Sequence, residues 1–434
     1  MKHTLCTITI FIACIFSLFS QQGYVPSELN IQAREEFRNA GLGIFIHWGI
    51  YSMLGDGEWV MSNRDIHYKE YGKLAGGFYP AQFNAHQWVK DIKASGAEYI
   101  CITTRHHDGF SMFYTQYSPY NIMDATPFKR DIIKEIAEAC QQEGIRLHFY
   151  YSLIDWGRTD APRGRTGVGT GRPTWDGNYE PYFSFMKNQL TELLSNYGPI
   201  GAIWLDGDWD MPRDFNWKYD ELYMHIHQLQ PACLIANNHH LKPQPGEDIQ
   251  IFERDLPGEN TAGYSGESGI SNLPLETCQT MNRRWGYDIN DLNYKSADTL
   301  IQYLVSAAGR GANLLLNIGP RPDGTLPDLA VERLHQIGEW MKKYGHTIKG
   351  TTAGDISPRT WGVTTRKGNK LYVHVIQQED NVVYLPLKIK VKKAICLNDG
   401  KKTDFTQDKS NGVILQLRPT NEPVNIIELT TYEK

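Results

Sequence analysis

Six short apolar runs recur along this chain: Leu42 to Gly49, Tyr99 to Thr104, Leu147 to Ser152, Ala202 to Gly207, Cys233 to Asn238 and Asn313 to Gly319. Stretches of helical periodicity lie between them. Strands alternating with helices are the mark of a parallel sheet covered by helices, because each parallel connection must cross back over the sheet. Arg130 to Glu143 places Ile132, Ile133, Ile136, Ala137 and Cys140 on one face and stops at Gly144, the residue type expected just past a helix end. Tyr182 to Tyr197 ends likewise at Gly198, and Ser296 is placed to cap a helix over Ala297 to Ala308. With 434 residues, the chain is long enough for an α/β domain of the (β/α)8-like TIM-barrel kind and one smaller module.

The pattern changes near Tyr344. Lys370 to Ile376, Leu385 to Val391, Gly412 to Leu417 and Val424 to Leu429 read as alternating strands with turn residues between them. The expected division is a barrel over 21–345 and a small C-terminal β-sandwich over 346–434. Ahead of both, Lys2 and His3 precede an apolar stretch from Leu5 to Phe19 that turns polar at Gln21. This reads as a secretory signal peptide over 1–20 and predicts export to the periplasm or the extracellular space. A membrane anchor is the alternative, but the stretch falls short of the roughly 20 apolar residues a spanning helix needs. A second alternative is lipid attachment at Cys14. Beyond this segment Cys101, Cys140, Cys233, Cys278 and Cys396 are widely spaced without a Cys-x-x-Cys pair, which argues against a disulfide framework or a zinc site. The net charge of -5, with no long run of one sign, does not indicate a nucleic-acid surface. The 11 Trp and 24 Tyr suit a carbohydrate site, since sugars stack their C–H faces on aromatic rings.

Strand after strand ends in polar or aromatic residues: His47-Trp48, Arg105-His-His-Asp108, Tyr150-Tyr-Ser152, Trp204-Leu-Asp206 and Asn237-Asn-His-His240. In a parallel barrel these ends open on one face, where barrel enzymes build their sites. Period-two geometry puts Ala202, Trp204 and Asp206 on one face of their strand and turns Ile203 and Leu205 toward the helices. A carboxylate beside an indole suits attack on an anomeric carbon, provided a second carboxyl protonates the leaving oxygen. Asp208 and Asp210 lie past the Gly207 turn and read as loop residues. A metal centre is the competing reading of His47, His106, His107, His239, His240 and Asp206. Against it, adjacent histidines at a strand end are expected to point in opposite directions, and no His-Glu-x-x-His spacing occurs. Neutral imidazoles holding sugar hydroxyls are the simpler expectation. Trp156 to Pro181 is a long connection rich in Gly and Arg, a kind of loop more often functional than idle above a barrel. Its Gly167-Val-Gly-Thr-Gly171 lacks the Lys-Ser/Thr of a phosphate loop.

Eight segments then occur in order: Leu42-Gly-Ile-Phe-Ile-His-Trp-Gly49, Gly57-Glu-Trp59, Thr103-Thr-Arg-His-His-Asp-Gly109, Phe149-Tyr-Tyr-Ser152, Ile203-Trp-Leu-Asp206, Leu275-Glu-Thr-Cys278, Trp285-Gly-Tyr287 and Asn313-Leu-Leu-Leu-Asn-Ile-Gly-Pro320. In these segments the chain resembles glycoside hydrolase family 29, the α-L-fucosidases, from about Glu35 to Lys343. The resemblance implies a catalytic barrel followed by a β-sandwich and a retaining exo-α-L-fucosidase acting on fucosylated oligosaccharides or glycoconjugates without a cofactor. It implies Asp206 as nucleophile, with His47, Glu58, Trp59, His106, His107, Tyr150 and Trp204 around the fucose. A surface turn after Gly55-Asp-Gly57 is the alternative for Glu58. The acid/base varies in position within the family but precedes the segment seen here as Leu275-Glu276. Glu253, at the end of a strand-like run from Asp248, is the choice, Glu267 the runner-up, and Glu276 resembles the family's structural carboxylate.

The double-displacement mechanism requires a raised pKa for Glu253 and an ionised Asp206. One departure stands out. Many relatives carry Asn-Asp-Arg where this chain reads Asn237-Asn-His-His240; the arginine's sugar contact is unassigned here, with substitution by His239 or Arg254, or a different subsite shape and preferred linkage, as the open alternatives. Two other readings stay open: a hydrolase of α-L-galactosides, and a catalytically silent carbohydrate-binding protein. Contact of Arg158, Arg163, Arg165 or Arg172 with the aglycone is likewise open.

Overall fold

The computed structural model describes residues 24–408 and 412–432, so the signal-peptide segment and Cys14 lie outside the described residues. Eight parallel strands follow in chain order: β1 Leu42–Ile46, β2 Tyr99–Arg105, β3 Arg146–Ser152, β4 Ala202–Asp206, β5 Leu234–Asn238, β6 Gln250–Glu253, β7 Leu275–Thr280 and β8 Ala312–Ile318. They pair in the order β5-β4-β3-β2-β1-β8-β7-β6, and a parallel bridge between Ala236 and Ile249 draws the two edges together into a nearly closed barrel. Six of these strands are the six apolar runs. β6 is the end of the run from Asp248. β7 escapes apolar-pattern reading because its sequence, Leu-Glu-Thr-Cys-Gln-Thr, is mostly polar.

The helices begin and end for local reasons. Ile132–Glu143 is capped by Asp131, whose carboxylate accepts the Lys134 N–H, and stops at Gly144, which adopts φ 69°. Ala297–Ala308 starts at Ser296, whose hydroxyl accepts the Thr299 N–H. Glu180–Asn196 fills the space between β3 and β4.

Alternation along the strands creates two cores. Phe45, Tyr99, Cys101, Tyr150, Ala202, Trp204, Leu234, Ala236, Cys278 and Leu315 fill the barrel interior. Ile203 and Leu205 instead join the layer between sheet and helices, as the period-two reading of this strand requires.

The last barrel helix, Asp328–Tyr344, leads into the C-terminal sheets. A five-stranded antiparallel sheet contains β9 Thr352–Ala353, β10 Gly362–Lys367, β11 Lys370–Val375, β13 Val391–Cys396 and β16 Asn425–Thr431. A three-stranded one contains β12 Val382–Leu385, β14 Phe405–Gln407 and β15 Val413–Gln416. Leu371, Val373, Ile427 and Leu429 from the first share one core with Val383, Leu385, Val413 and Leu415 from the second. The expected strand over Leu385 to Val391 is corrected here: β12 ends at Leu385 and β13 starts at Val391, and the chain between them, beginning with Pro386, crosses from one sheet to the other.

Leu205 is fully buried between β4 and the helices. Leu205→Ala is expected to lower the unfolding free energy by about 2–5 kcal/mol, visible as a lower urea midpoint.

Candidate active site

Parallel register brings three strand ends side by side: Asp206 on β4 aligns with Ser152 on β3 and with Asn238 on β5. Asp206 closes its strand and Gly207 follows at φ 105°, turning the chain into the short helical turn Asp208–Asp210. That turn carries Trp209 back over the carboxylate. Asp206 Oδ1 accepts from Trp209 Nε1 at 2.9 Å and from Asn238 Nδ2 at 3.2 Å, while Oδ2 accepts from the Tyr150 hydroxyl at 2.8 Å. His107 Nε2 lies 3.5 Å from Oδ2.

Glu253, the last residue of β6, faces Asp206 across the pocket. Its Oε2 accepts from the same Asn238 amide at 2.9 Å and from His240 Nε2 at 3.0 Å. One nitrogen bonded to both carboxylates limits the separation of the two bonded oxygens to the sum of the bonds, about 6 Å, which is compatible with the spacing of a retaining carboxyl pair. The other acidic candidate is elsewhere. Glu267 forms a two-pronged ion pair with Arg213 at the surface and is absent from the pocket that Asp206 and Glu253 line.

The walls are aromatic. Trp59 stacks on Trp209 at 5.6 Å and 20° and meets His107 edge-on, while Trp204 stacks beneath Tyr150 at 5.6 Å and 23°. His47, His106 and His107 line the same pocket. The expectation that His106 and His107 diverge is corrected: β2 ends at Arg105 with a register irregularity after Thr103, so strict alternation no longer holds where the two rings lie.

The hydrogen bonds fix two tautomers. Asn317 donates from Nδ2 to the Trp285 carbonyl, so its Oδ1 faces His47 Nδ1 at 2.6 Å and must accept. Ser152 gives its hydroxyl proton to the Ile154 carbonyl, so it accepts from His107 Nδ1 at 2.7 Å. Burial holds both imidazoles neutral by lowering their pKa to about 3. Each therefore keeps a bare Nε2, an acceptor for a hydroxyl proton.

Glu58 is buried rather than on a surface turn. It accepts the Gly286 N–H at 2.7 Å, and a Cβ on Gly286 would approach the Glu58 backbone nitrogen to 2.8 Å; it is not among the residues lining the pocket of Asp206 and Glu253. Glu276 lies inside the barrel, its two oxygens accepting from Tyr99 at 2.6 Å and Trp204 at 2.9 Å; burial lifts its pKa to about 7. His239 is turned away, bonded to Glu247. Arg254 lies over the Trp285 ring at 4.9 Å. The loop arginines serve largely the loop itself: Arg172 donates to the carbonyls of Asp155, Arg158, Ala161 and Pro162, Arg163 to those of Val168 and Arg172, and Arg158 pairs with Asp160. Arg165 reaches the Trp209 carbonyl.

In the sequence Trp209, Asn238 and Trp285 had no assigned role, and His240 figured only at a strand end and in the competing metal reading. Asn238 was within reach, since the alternation that turns Trp204 and Asp206 inward does the same for Ala236 and Asn238. Trp209 carried no signal, because only the turn after Gly207 returns it to the site.

The expected split of pKa values is also corrected for the unliganded site. Burial, and then the charge of Glu253, push Asp206 up to about 6 against its hydrogen bonds from Trp209 and Tyr150. Burial also lifts Glu253, but bonds from His240 and Asn238 and the charges of His240 and Arg254 outweigh it, leaving the carboxyl below its ordinary value. Such a pair titrates as a unit.

A parallel barrel whose mouth holds two buried carboxyls on one amide, ringed by indoles and neutral imidazoles, is the site of a glycoside hydrolase. The family model for alpha-L-fucosidase matches residues 13–346, and the chain belongs to that family, glycoside hydrolase family 29. The alpha-L-fucosidase of Dictyostelium discoideum is 26% identical over 420 residues, covering 87% of this chain and 86% of that protein. Alpha-L-fucosidase isoenzyme 1 from Paenibacillus thiaminolyticus superposes with a TM-score of 0.82 at 32% identity, covering 93% of this chain and all of that one. A Bacteroides thetaiotaomicron alpha-L-fucosidase, trapped as a covalent intermediate with 2-fluoro-fucosyl fluoride in a glutamate-to-glutamine mutant, superposes with a TM-score of 0.81 at 25% identity, covering 95% and 98%.

Carbon-13 NMR of labelled Asp carboxyls, with Asp206→Asn identifying the signal, is expected to give an Asp206 midpoint near 6. Trp209→Phe removes a donor to the ionised form and moves the midpoint higher. A midpoint in the ordinary range near 3.8 would contradict the burial argument.

Proposed function

We propose that this chain is a retaining exo-α-L-fucosidase, with Asp206 as nucleophile and Glu253 as acid/base, acting on terminal α-L-fucose of glycans. The observation carrying this reading is the Asn238 amide bonded to both carboxylates, which limits their bonded oxygens to about 6 Å, compatible with the carboxyl spacing of a double displacement. The covalent intermediate trapped in the Bacteroides relative supports it.

Asp206 attacks the anomeric carbon as the bond to the leaving oxygen breaks, and Glu253 passes its proton to that oxygen. Water then attacks the fucosyl-enzyme, Glu253 takes its proton, and Asp206 is released with net retention. Hydrogen-bond occupancy supports this division. Both lone pairs of Asp206 Oδ1 are engaged, by an indole and an amide that only donate, and Oδ2 takes the Tyr150 proton. Glu253 Oε2 is engaged twice, whereas Oε1 has no bond to a described residue and is the oxygen free to carry the shared proton. The bare Nε2 atoms of His47 and His107 accept sugar hydroxyls, while Trp59, Trp209 and Trp204 meet its apolar faces. Export before action is part of the proposal, resting on the apolar segment Leu5 to Phe19 behind Lys2. N-terminal sequencing of the protein recovered from the producing cells tests it, with cleavage near Ser20 expected.

Asp206→Ala is expected to lose at least about 10³-fold in 4-nitrophenyl α-L-fucoside hydrolysis. Azide is expected to give the inverted β-fucosyl azide with Asp206→Ala and the retained α-fucosyl azide with Glu253→Ala. Near-normal turnover by Asp206→Ala would sink the assignment.

The pair needs one proton for the first step, and its last proton leaves near 6. As pH rises above that value kcat/KM is expected to fall, approaching about tenfold per unit. A rate still climbing at pH 8 would contradict it.

A further inference from the structure

His240 occupies a place that the family pattern does not explain, and its setting is specific. Its ring stacks on Tyr264 at 5.0 Å and 14°, and its Nε2 meets Glu253 Oε2 at 3.0 Å. Its backbone is left-handed at φ 63°, as is that of Arg254 beside Glu253 at φ 58°. Non-glycine residues hold that conformation when surrounding contacts demand it. A carboxylate oxygen only accepts, so His240 Nε2 carries a proton and donates. With the Asn238 amide this saturates Oε2 and leaves Oε1 for the reacting oxygen.

We propose that His240 is the positioning residue of Glu253: its bond to Oε2 aims Oε1 and its proton at the leaving oxygen and stabilises the carboxylate formed when that proton is given up. This rests on the reading of Glu253 as acid/base. During glycosylation the Oε1 proton passes to the glycosidic oxygen as its bond to the anomeric carbon breaks and the bond to Asp206 forms; the His240 proton stays on Nε2. The other charged groups around the ring are Asp206 at the end of β4, Asp208 in the turn after it, and Arg163, Arg165, Asp210, Arg213 and Glu267 along the groove it shares with Tyr264. Glu267 and Arg213 neutralise each other.

A residue that serves the acid matters in proportion to how much the leaving group needs a proton. Methoxide needs it fully and 4-nitrophenoxide hardly at all. In His240→Leu, kcat/KM is expected to fall about 100-fold on methyl α-L-fucoside, within the range of general acid catalysis, and less than about threefold on 4-nitrophenyl α-L-fucoside. The loss of a donor to the ionised form raises the Glu253 pKa, so the alkaline limb on methyl fucoside moves to higher pH. His240→Gln, which keeps a neutral donor, is expected to recover most of the loss, and it tests the proposal if the leucine variant does not fold. Equal losses on both substrates, or an unmoved limb, would overturn the role of His240. Glu253→Ala with azide is run alongside. Failure of azide to rescue it overturns the acid/base reading and this proposal together, whereas rescue with equal losses in the His240 variants overturns this proposal alone.

Discussion

Asp206 stands in register with Ser152 on one side and Asn238 on the other, and the chemistry at the barrel mouth depends on that alignment. Ser152 receives His107 and sets its tautomer, while Asn238 reaches across to Glu253. A slip of one residue in β4 would turn Ile203 and Leu205 inward and drive Trp204 and Asp206 under the helices. The register is held because the slip would bury the Asp206 carboxylate in the apolar layer under the helices and take the Trp204 indole N–H away from Glu276. Placement of Asp206 is thus a consequence of packing well below the site.

Below the pocket the barrel interior contains a carboxyl group, Glu276, where apolar filling would be the cheaper choice. It is tolerated because each oxygen has one donor, Tyr99 from β2 and Trp204 from β4, and because burial lifts its pKa to about 7, which lessens the charge carried indoors. What it adds is direction. An indole has a single donor, so bonding Nε1 to Glu276 fixes the rotation of Trp204, which supports Tyr150, which donates to Asp206. β7 thereby acts on Asp206 through two stacked rings, and its polar composition, the reason it does not read as a strand, is the source of that influence.

The strands that end in the site were legible because each is an apolar run with a polar end, a pattern that barrel geometry converts into one shared pocket. Asp206 and Trp204 followed from alternation alone, and the resemblance supplied the imidazoles and Glu253. What was not legible depends on departures from regular geometry. Trp209 reaches the site through a turn at a left-handed Gly207, and His106 and His107 share a pocket because β2 loses its register after Thr103. The burial of Glu58 was not legible, because its partner, the Gly286 N–H, lies far away in sequence. Local pattern reads the scaffold well; contacts between distant loops are set by tertiary packing, which no local window contains.

Neutrality of the histidines ties the scaffold to the kind of ligand the pocket takes. A cationic imidazole has two donors and no acceptor, whereas a neutral one whose Nδ1 proton is engaged presents an acceptor. His47 and His107 are both of the second kind, their Nδ1 protons taken by Asn317 and Ser152. Sugar hydroxyls can donate to them without adding positive charge beside Asp206, where it would weaken the proposed nucleophile by holding its electrons more tightly. Glu253, as the proposed acid/base, has the opposite need. It must lose a proton readily, and there a donor beside the carboxyl helps, which is where His240 lies. The same side chain thus serves two purposes within one pocket, and what separates them is whether its second nitrogen faces an acceptor of the protein or a carboxyl of the site.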